Sequence, residues 1–155
     1  MGKKLSIPYF CRRVKSRSAL LIGLDNAGKT SLICNLVPEI RTLASTDYSM
    51  LSTSPTVGLS LVEIKKRNIR WRIWDMSGQG RYRSLWTYYC AHVQAVIFVV
   101  DLTDVDRIVV ARDELYGIIN HKAVKERRLP VLIYATKADL RHRGSAGGST
   151  EGAGG

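Results

Sequence analysis

Gly23-Leu24-Asp25-Asn26-Ala27-Gly28-Lys29-Thr30 is the stretch on which the reading of the whole chain turns. Before it runs Ser18-Ala-Leu-Leu-Ile-Gly23, a short apolar segment that reads as a buried strand. After it, Thr30 to Leu36 reads as a helix, and Pro38 stops its continuation. Strand, glycine-bearing loop and helix follow one another at the spacing GxxxxGK[ST]. The glycines let the backbone curl until successive N–H groups point inward. Backed by a helix N-terminus, such a nest cradles phosphate. Lys29 is placed to supply positive charge to the β- and γ-phosphates of a nucleotide, and the Thr30 hydroxyl to ligate Mg²⁺, with Ser31 beside it. The loop leaves the base undecided.

Outward from the loop, strands and helices alternate. Val57 to Lys65 and Ile69 to Asp75 read as paired strands, with Lys66-Arg67-Asn68 as the turn between them. Arg41 to Ser54 is polar and reads as a loop. Gln79 to Ala91 is irregular or helical, and Ala95 to Asp101 is a second fully buried strand. Thr103 or Asp104 is placed to cap a helix running to about Asn120, whose Ile108, Ala111, Leu115, Ile118 and Ile119 follow a helical period. Pro130 precedes a last strand, Val131 to Thr136. This order implies an α/β P-loop NTPase fold with a mostly parallel sheet and one antiparallel edge strand. Three units are expected: a basic segment over 1–17, a nucleotide-binding domain over 18–140, and a Gly/Ser-rich disordered tail over 141–155.

Three further elements carry chemistry. Pro55-Thr56-Val57-Gly58 offers a threonine able to reach Mg²⁺ and the γ-phosphate only while that phosphate is present, which makes its loop a sensor. Asp75-Met-Ser-Gly78-Gln79 ends a strand. Its carboxylate can hold Mg²⁺ through water, the Gly78 N–H can meet the γ-phosphate, and Gln79 is placed to orient an attacking water. Thr136-Lys137-Ala138-Asp139 ends another strand. A carboxylate there accepts two hydrogen bonds from guanine N1–H and N2–H₂, a pair that adenine lacks, and the lysine stem can lie over the base.

With these residues in place, the chain resembles the ADP-ribosylation-factor and factor-like small GTPases. The resemblance rests on Gly23–Thr30, Pro55–Gly58 and Trp74–Gln79 with Leu85-Trp86, and spans roughly 19 to 140. Asp75-Met-Ser-Gly-Gln-Gly-Arg-Tyr-Arg83 is narrower and resembles the ciliary subtype that recruits the BBSome coat. The resemblance implies a small-GTPase fold and a cycle between GDP and GTP forms. It also implies slow GTP hydrolysis, exchange factors and activating proteins, and an effector or coat recruited at a membrane. It further implies a cytoplasmic, peripheral-membrane location, at the cilium or its base for that subtype. The family's aromatic effector surface falls on Leu59, Trp74 and Tyr89, with leucine replacing the usual phenylalanine; from the residues alone, Trp74 and Tyr89 read equally well as core. Thr136 stands where most relatives have asparagine, and the loop before Thr56 is longer than usual. No counterpart of the family's last strand and C-terminal helix is evident, so one sheet face is expected to lie bare.

Charge narrows the partners. The chain of 155 residues carries a formal net charge of +11, unevenly placed. Lys3, Lys4, Arg12, Arg13, Lys15 and Arg17 crowd one segment, and Lys65, Lys66, Arg67, Arg70 and Arg72 another, which favours anionic partners. Met1-Gly2-Lys-Lys-Leu-Ser6 fits N-myristoylation at Gly2, with the basic residues as the second membrane signal. The alternative is a disordered basic tail. No nucleic-acid recognition module is present. No secretory signal is evident, and Cys11, Cys34 and Cys90 show no metal-ligand spacing, as in a cytosolic protein with reduced thiols. The competing functional reading is a relative impaired in nucleotide binding that acts only as a binding module.

Overall fold

The computed structural model describes residues 15–36 and 58–141. Five strands form one sheet: β1 (Lys15–Ile22), β2 (Leu59–Lys66), β3 (Ile69–Met76), β4 (Ala95–Asp101) and β5 (Val131–Thr136), in the order β2-β3-β1-β4-β5. β1 runs parallel to β3 and β4, β4 parallel to β5, and only β2 is antiparallel, at the edge. That is the sheet expected from the alternation of elements. Gly58 begins the described residues of this part, so Val57, expected to open β2, lies outside them.

Period-two alternation splits the apolar residues of the central strands between two cores. Leu20 and Ile22 join Met76, Phe98 and Trp86 on one face. Leu21 joins Val62, Val99 and Ile33 on the other. The second face is covered by α1 (Lys29–Leu36). The first is covered by α2 (Ser84–Cys90), α3 (Ile108–Asn120) and α4 (Lys122–Arg127). Trp86 is fully buried and meets Phe98 edge-on at 6.2 Å. β5 is the least covered strand among those described, with Leu132 at 56% and Ile133 at 54% exposure.

The hairpin turn is tighter than expected. Lys66 belongs to β2, and only Arg67 (φ 49°) and Asn68 (φ 63°) turn the chain, both left-handed. Two consecutive left-handed residues match the twist of the flanking strands.

The cap expected at Thr103 or Asp104 is not formed. Asp101 accepts from both the Thr103 N–H (2.9 Å) and its hydroxyl (2.7 Å), while Asp104 pairs with Arg107. Both side chains are used within the loop, and α3 starts at Ile108 with Arg107 in the cap position. Two short helices, α4 and α5 (Ala138–Arg141), add to the expected elements; six and four residues are too few to display a period. His121 caps α4 by accepting from the Ala123 N–H, and left-handed Arg128 (φ 48°) ends it. Arg127 then ties α4 to the end of α2 by donating to the carbonyls of Cys90, Ala91 and Val93 at 2.8–2.9 Å. Among the described residues no helix is long and apolar enough to cross a membrane.

Candidate nucleotide site

The loop from Gly23 to Thr30 joins β1 to α1 at the C-terminal ends of the parallel strands, where open α/β sheets bind ligands. Its conformation follows from its residues. Gly23 has φ 144°, open to glycine alone, and Asn26 (φ 62°) is left-handed, which asparagine tolerates. Lys29 folds back under the loop. Its ammonium donates to the carbonyls of Gly23 (3.0 Å) and Leu24 (2.8 Å), and the side chain is buried. Burial pushes its pKa down to about 8, against the neighbouring Asp75 and Asp25 charges that favour the protonated form.

Asp75 ends β3 beneath this lysine and is 2% exposed. The Thr30 hydroxyl donates to its Oδ2 at 2.6 Å, while its Oδ1, equally buried, has no partner among the described residues. Burial raises the Asp75 pKa; the Thr30 hydrogen bond and the Lys29 charge oppose that. Leaving a buried carboxylate oxygen unpaired costs about 1–3 kcal/mol. A small hard cation beside it would remove that cost, and a hydroxyl plus a carboxylate are the oxygen donors Mg²⁺ takes while it keeps several waters. The donor set therefore fits Mg²⁺.

The second switch lies directly on the loop. A Cβ added at Gly78 would stand 2.2 Å from the Asp25 nitrogen and 2.2 Å from the Leu24 carbonyl carbon, so the absent side chain is what permits the approach. Trp86 donates from its indole to the Ser77 carbonyl at 3.2 Å, anchoring the segment to the core. The Ser77 N–H donates to the Gly58 carbonyl at 2.9 Å, joining the segment to the end of the first switch. Gln79 is half-buried, and its Oε1 accepts from Arg81 at 3.2 Å.

Thr136 and Lys137 close the far wall. The Thr136 hydroxyl donates within reach of the Ala27 carbonyl (2.9 Å) and the Val100 carbonyl (3.1 Å), so the threonine reaches the loop. Lys137 donates to the Asn26 carbonyl (3.1 Å) and to Asp101 (2.6 Å). Asp101 is pushed up by burial, but its bonds to Lys137 and Thr103 outweigh that and hold its carboxyl below the usual range. Asp139 sits exposed in the first turn of α5.

The structure thus brings together Gly23, Leu24, Asp25, Asn26, Ala27, Gly28, Lys29, Thr30, Asp75, Gly78, Thr136 and Lys137. Ser31 is on α1 and exposed. Thr56 and Gly2 lie outside the described residues. Leu59, Trp74 and Tyr89 are half-buried and pack against the first core, with the Trp74 and Tyr89 rings 5.8 Å apart.

An ionic lock on the loop has no counterpart in the sequence reading. Arg107 holds both Asp25 carboxylate oxygens (2.9 and 3.0 Å), and Arg83 approaches the same carboxylate at 3.6 Å. Arg83 also donates to the Gly78 carbonyl (2.9 Å) and pairs with Glu114 (3.2 Å). Burial pushes the Asp25 pKa up, but Arg107 and Arg83 prevail and hold it below the ordinary value. No local motif announces such contacts, since Asp25 and Arg107 are 82 positions apart.

Comparisons with known proteins agree with this geometry. The model of the ADP-ribosylation factor family matches residues 7–151. ADP-ribosylation factor-like protein 6 of Danio rerio is 42% identical over 132 residues, 85% of this chain and 67% of that protein. ADP-ribosylation factor 1 of Brassica rapa subsp. pekinensis is 38% identical over 126 residues, 81% of this chain. The chain spans 63% of that second relative's length. A solved structure of the Arl6 BBS3 small GTPase from Trypanosoma brucei, with bound nucleotide analogue GppNp, is similar at a TM-score of 0.60 and 24% identity. It covers 85% of this chain and 94% of its own and shows likeness of fold.

Proposed function

We infer the function from the premise that this chain belongs to the ADP-ribosylation factor family, whose members are GTPases. The protein is a GTP-binding switch of the factor-like type, alternating between GDP and GTP forms and recruiting effectors to membranes in protein trafficking. The observation that carries this reading is the Thr30–Asp75 hydrogen bond beside buried Lys29, with an Asp75 carboxylate oxygen that has no partner among the described residues, under a glycine-turned loop. That intact group speaks against a binding-only module. Identity to a factor-like protein 6 supports the finer reading, a BBSome-like coat as effector at the cilium.

The 23–30 loop amides and Lys29 bind the β- and γ-phosphates. Thr30 and Thr56 would hold Mg²⁺, with Asp75 reaching it through water, and the ion would neutralise phosphate charge. Gly78 presents its N–H toward the γ-phosphate from its seat on the loop. Gln79 orients the attacking water. Asp139 selects guanine, and Lys137 and Thr136 steady the loop behind the base.

Thermal shift tests this directly. GTP or GDP with Mg²⁺ at a hundred times its Kd adds about 2.7 kcal/mol and raises the midpoint by roughly 10 °C, while ATP at the same concentration leaves it unchanged. Equal shifts by GTP and ATP sink the guanine reading. Asp139→Asn reverses the preference toward xanthosine triphosphate, whose C2 carbonyl can accept from the new amide.

The membrane half has its own test. A single myristoyl chain gives an association constant of only about 10⁴ M⁻¹, so attachment requires Gly2 together with basic residues. Gly2→Ala releases the protein from vesicles, and neutralising Arg12, Arg13, Lys15 and Arg17 nearly does the same. Sedimentation indifferent to anionic lipid contradicts the electrostatic part.

A further inference from the structure

The β2–β3 hairpin is built at a cost to its own stability, and the cost is confined to its tip. In its register Glu63 faces Arg72, and the two form an ion pair at 2.8 Å. One step outward on the same face, Lys65 faces Arg70, two like charges directly opposite each other. Opposite-charge cross-strand pairs stabilise a sheet, and like-charge pairs destabilise it. The turn adds a second cost. Arg67 has φ 49° at a position that favours asparagine or glycine. A left-handed arginine is a departure that persists where something compensates for it.

The sheet register brings more positive charge to the same end. Lys15 stands beside Ile69 and Arg17 beside Trp71, on the face opposite Lys65 and Arg70. Lys15, Arg17, Lys65, Arg67 and Arg70 are all exposed. Among the described residues none of them enters an ion pair. In the sequence, the basic residues Arg12 and Arg13 shortly precede β1.

We propose that the β2–β3 tip, together with the start of β1, is a docking surface for an anionic membrane. It acts beside the N-terminal segment and sets the orientation of the domain on the bilayer. Charge at the turn and on both faces of a sheet end suits a plane met end-on; a groove binder would carry its charge on one face. Anionic headgroups would neutralise the Lys65–Arg70 repulsion and compensate the turn. The proposal rests on the membrane reading above and is separable from it.

The test is vesicle sedimentation of the full chain, on phosphatidylcholine with and without phosphatidylserine, beside thermal melting. Each basic residue near an anionic surface contributes about 1 kcal/mol, or about fivefold in affinity. Lys65→Glu changes the charge by two and places a carboxylate opposite Arg70, an opposite-charge pairing like that of Glu63 with Arg72. Affinity for anionic vesicles should fall about 30-fold while the melting midpoint rises. Arg67→Asn should weaken binding about fivefold, again with a higher midpoint, and Lys65→Arg should change neither. Movement of affinity and stability in opposite directions is what a merely structural role cannot produce. If both variants bind like the parent while loss of Arg12 and Arg13 releases the protein, the tip is not part of the surface and the membrane reading stands. If the parent itself ignores phosphatidylserine, the membrane reading fails and takes this with it. Tip-dependent binding to a duplex oligonucleotide in place of vesicles, or a midpoint that falls with affinity, also overturns the proposal.

Discussion

Gln79→Leu is expected to abolish GTP hydrolysis stimulated by an activating protein while leaving GTP affinity within about threefold. The reasoning starts from where the side chain sits. Gln79 follows Gly78, which is pressed on the 23–30 loop, and its amide oxygen accepts from Arg81 at 3.2 Å. It is half-buried and belongs to neither core, so leucine can replace it without loss of packing. A polar group that orients water or stabilises developing charge contributes about 10²–10³ in rate. An arginine supplied by a partner contributes about 10³–10⁵ and acts on the geometry this glutamine sets. Single-turnover hydrolysis with saturating activating protein should therefore drop by at least about 10², with an unchanged thermal shift from GTP. Arg81 gives a control. Arg81→Ala frees the Gln79 amide and should alter the rate far less, because the arginine holds the glutamine here and makes no hydrogen bond to Lys29 or Asp75. Stimulated hydrolysis that survives in the leucine variant would remove Gln79 from the mechanism.

The elements that sequence makes legible are those whose signal is local. The loop at 23–30, the hairpin and the strand over 95–101 each declare themselves within a few residues, by glycine spacing or by apolar runs. Thr30 and Asp75 are each legible as residues suited to Mg²⁺, while the hydrogen bond between them appears only in the fold. What stays hidden is long-range or brief in sequence. The Asp25 carboxylate is locked by arginines 58 and 82 positions away, a juxtaposition that only the fold creates. The start of α3 departs from expectation because Asp101 captures the hydroxyl of the residue expected to cap it. Two local hydrogen bonds compete there, and the sequence states both without ranking them. The repulsion at the hairpin tip becomes visible only with register, since a shift of one residue would change every cross-strand pair.

Gly23→Ala is expected to cost more stability than any exposed substitution considered above, and to abolish nucleotide binding with it. Two independent terms act at this position. The backbone lies at φ 144°, where a side chain is strained whatever the space around it. The added Cβ would stand 2.2 Å from the Val99 carbonyl oxygen and 3.1 Å from its carbon. Those are backbone atoms in the middle of β4, and Val99 is itself 1% exposed in the second core, so neither partner can yield cheaply. Relief requires β1 and β4 to separate, and these two strands lie side by side at the heart of the sheet. Strain at a forbidden φ costs about 1–3 kcal/mol, and overpacking against a fixed wall about 1–3 kcal/mol more. Against a total of about 5–15 kcal/mol for a domain, the sum removes a large share of the stability and lowers the melting midpoint by many degrees. Gly78→Ala offers the informative contrast. Its Cβ clashes just as closely, but with the backbone of the 23–30 loop and not with a central strand. That variant should melt within a few degrees of the parent and lose the distinction between GTP and GDP, since the second switch could no longer seat on the loop. Melting both variants, with and without nucleotide, separates the two roles of glycine: a cooperative, parent-like melt for Gly23→Ala would mean that β4 gives way more easily than its burial implies.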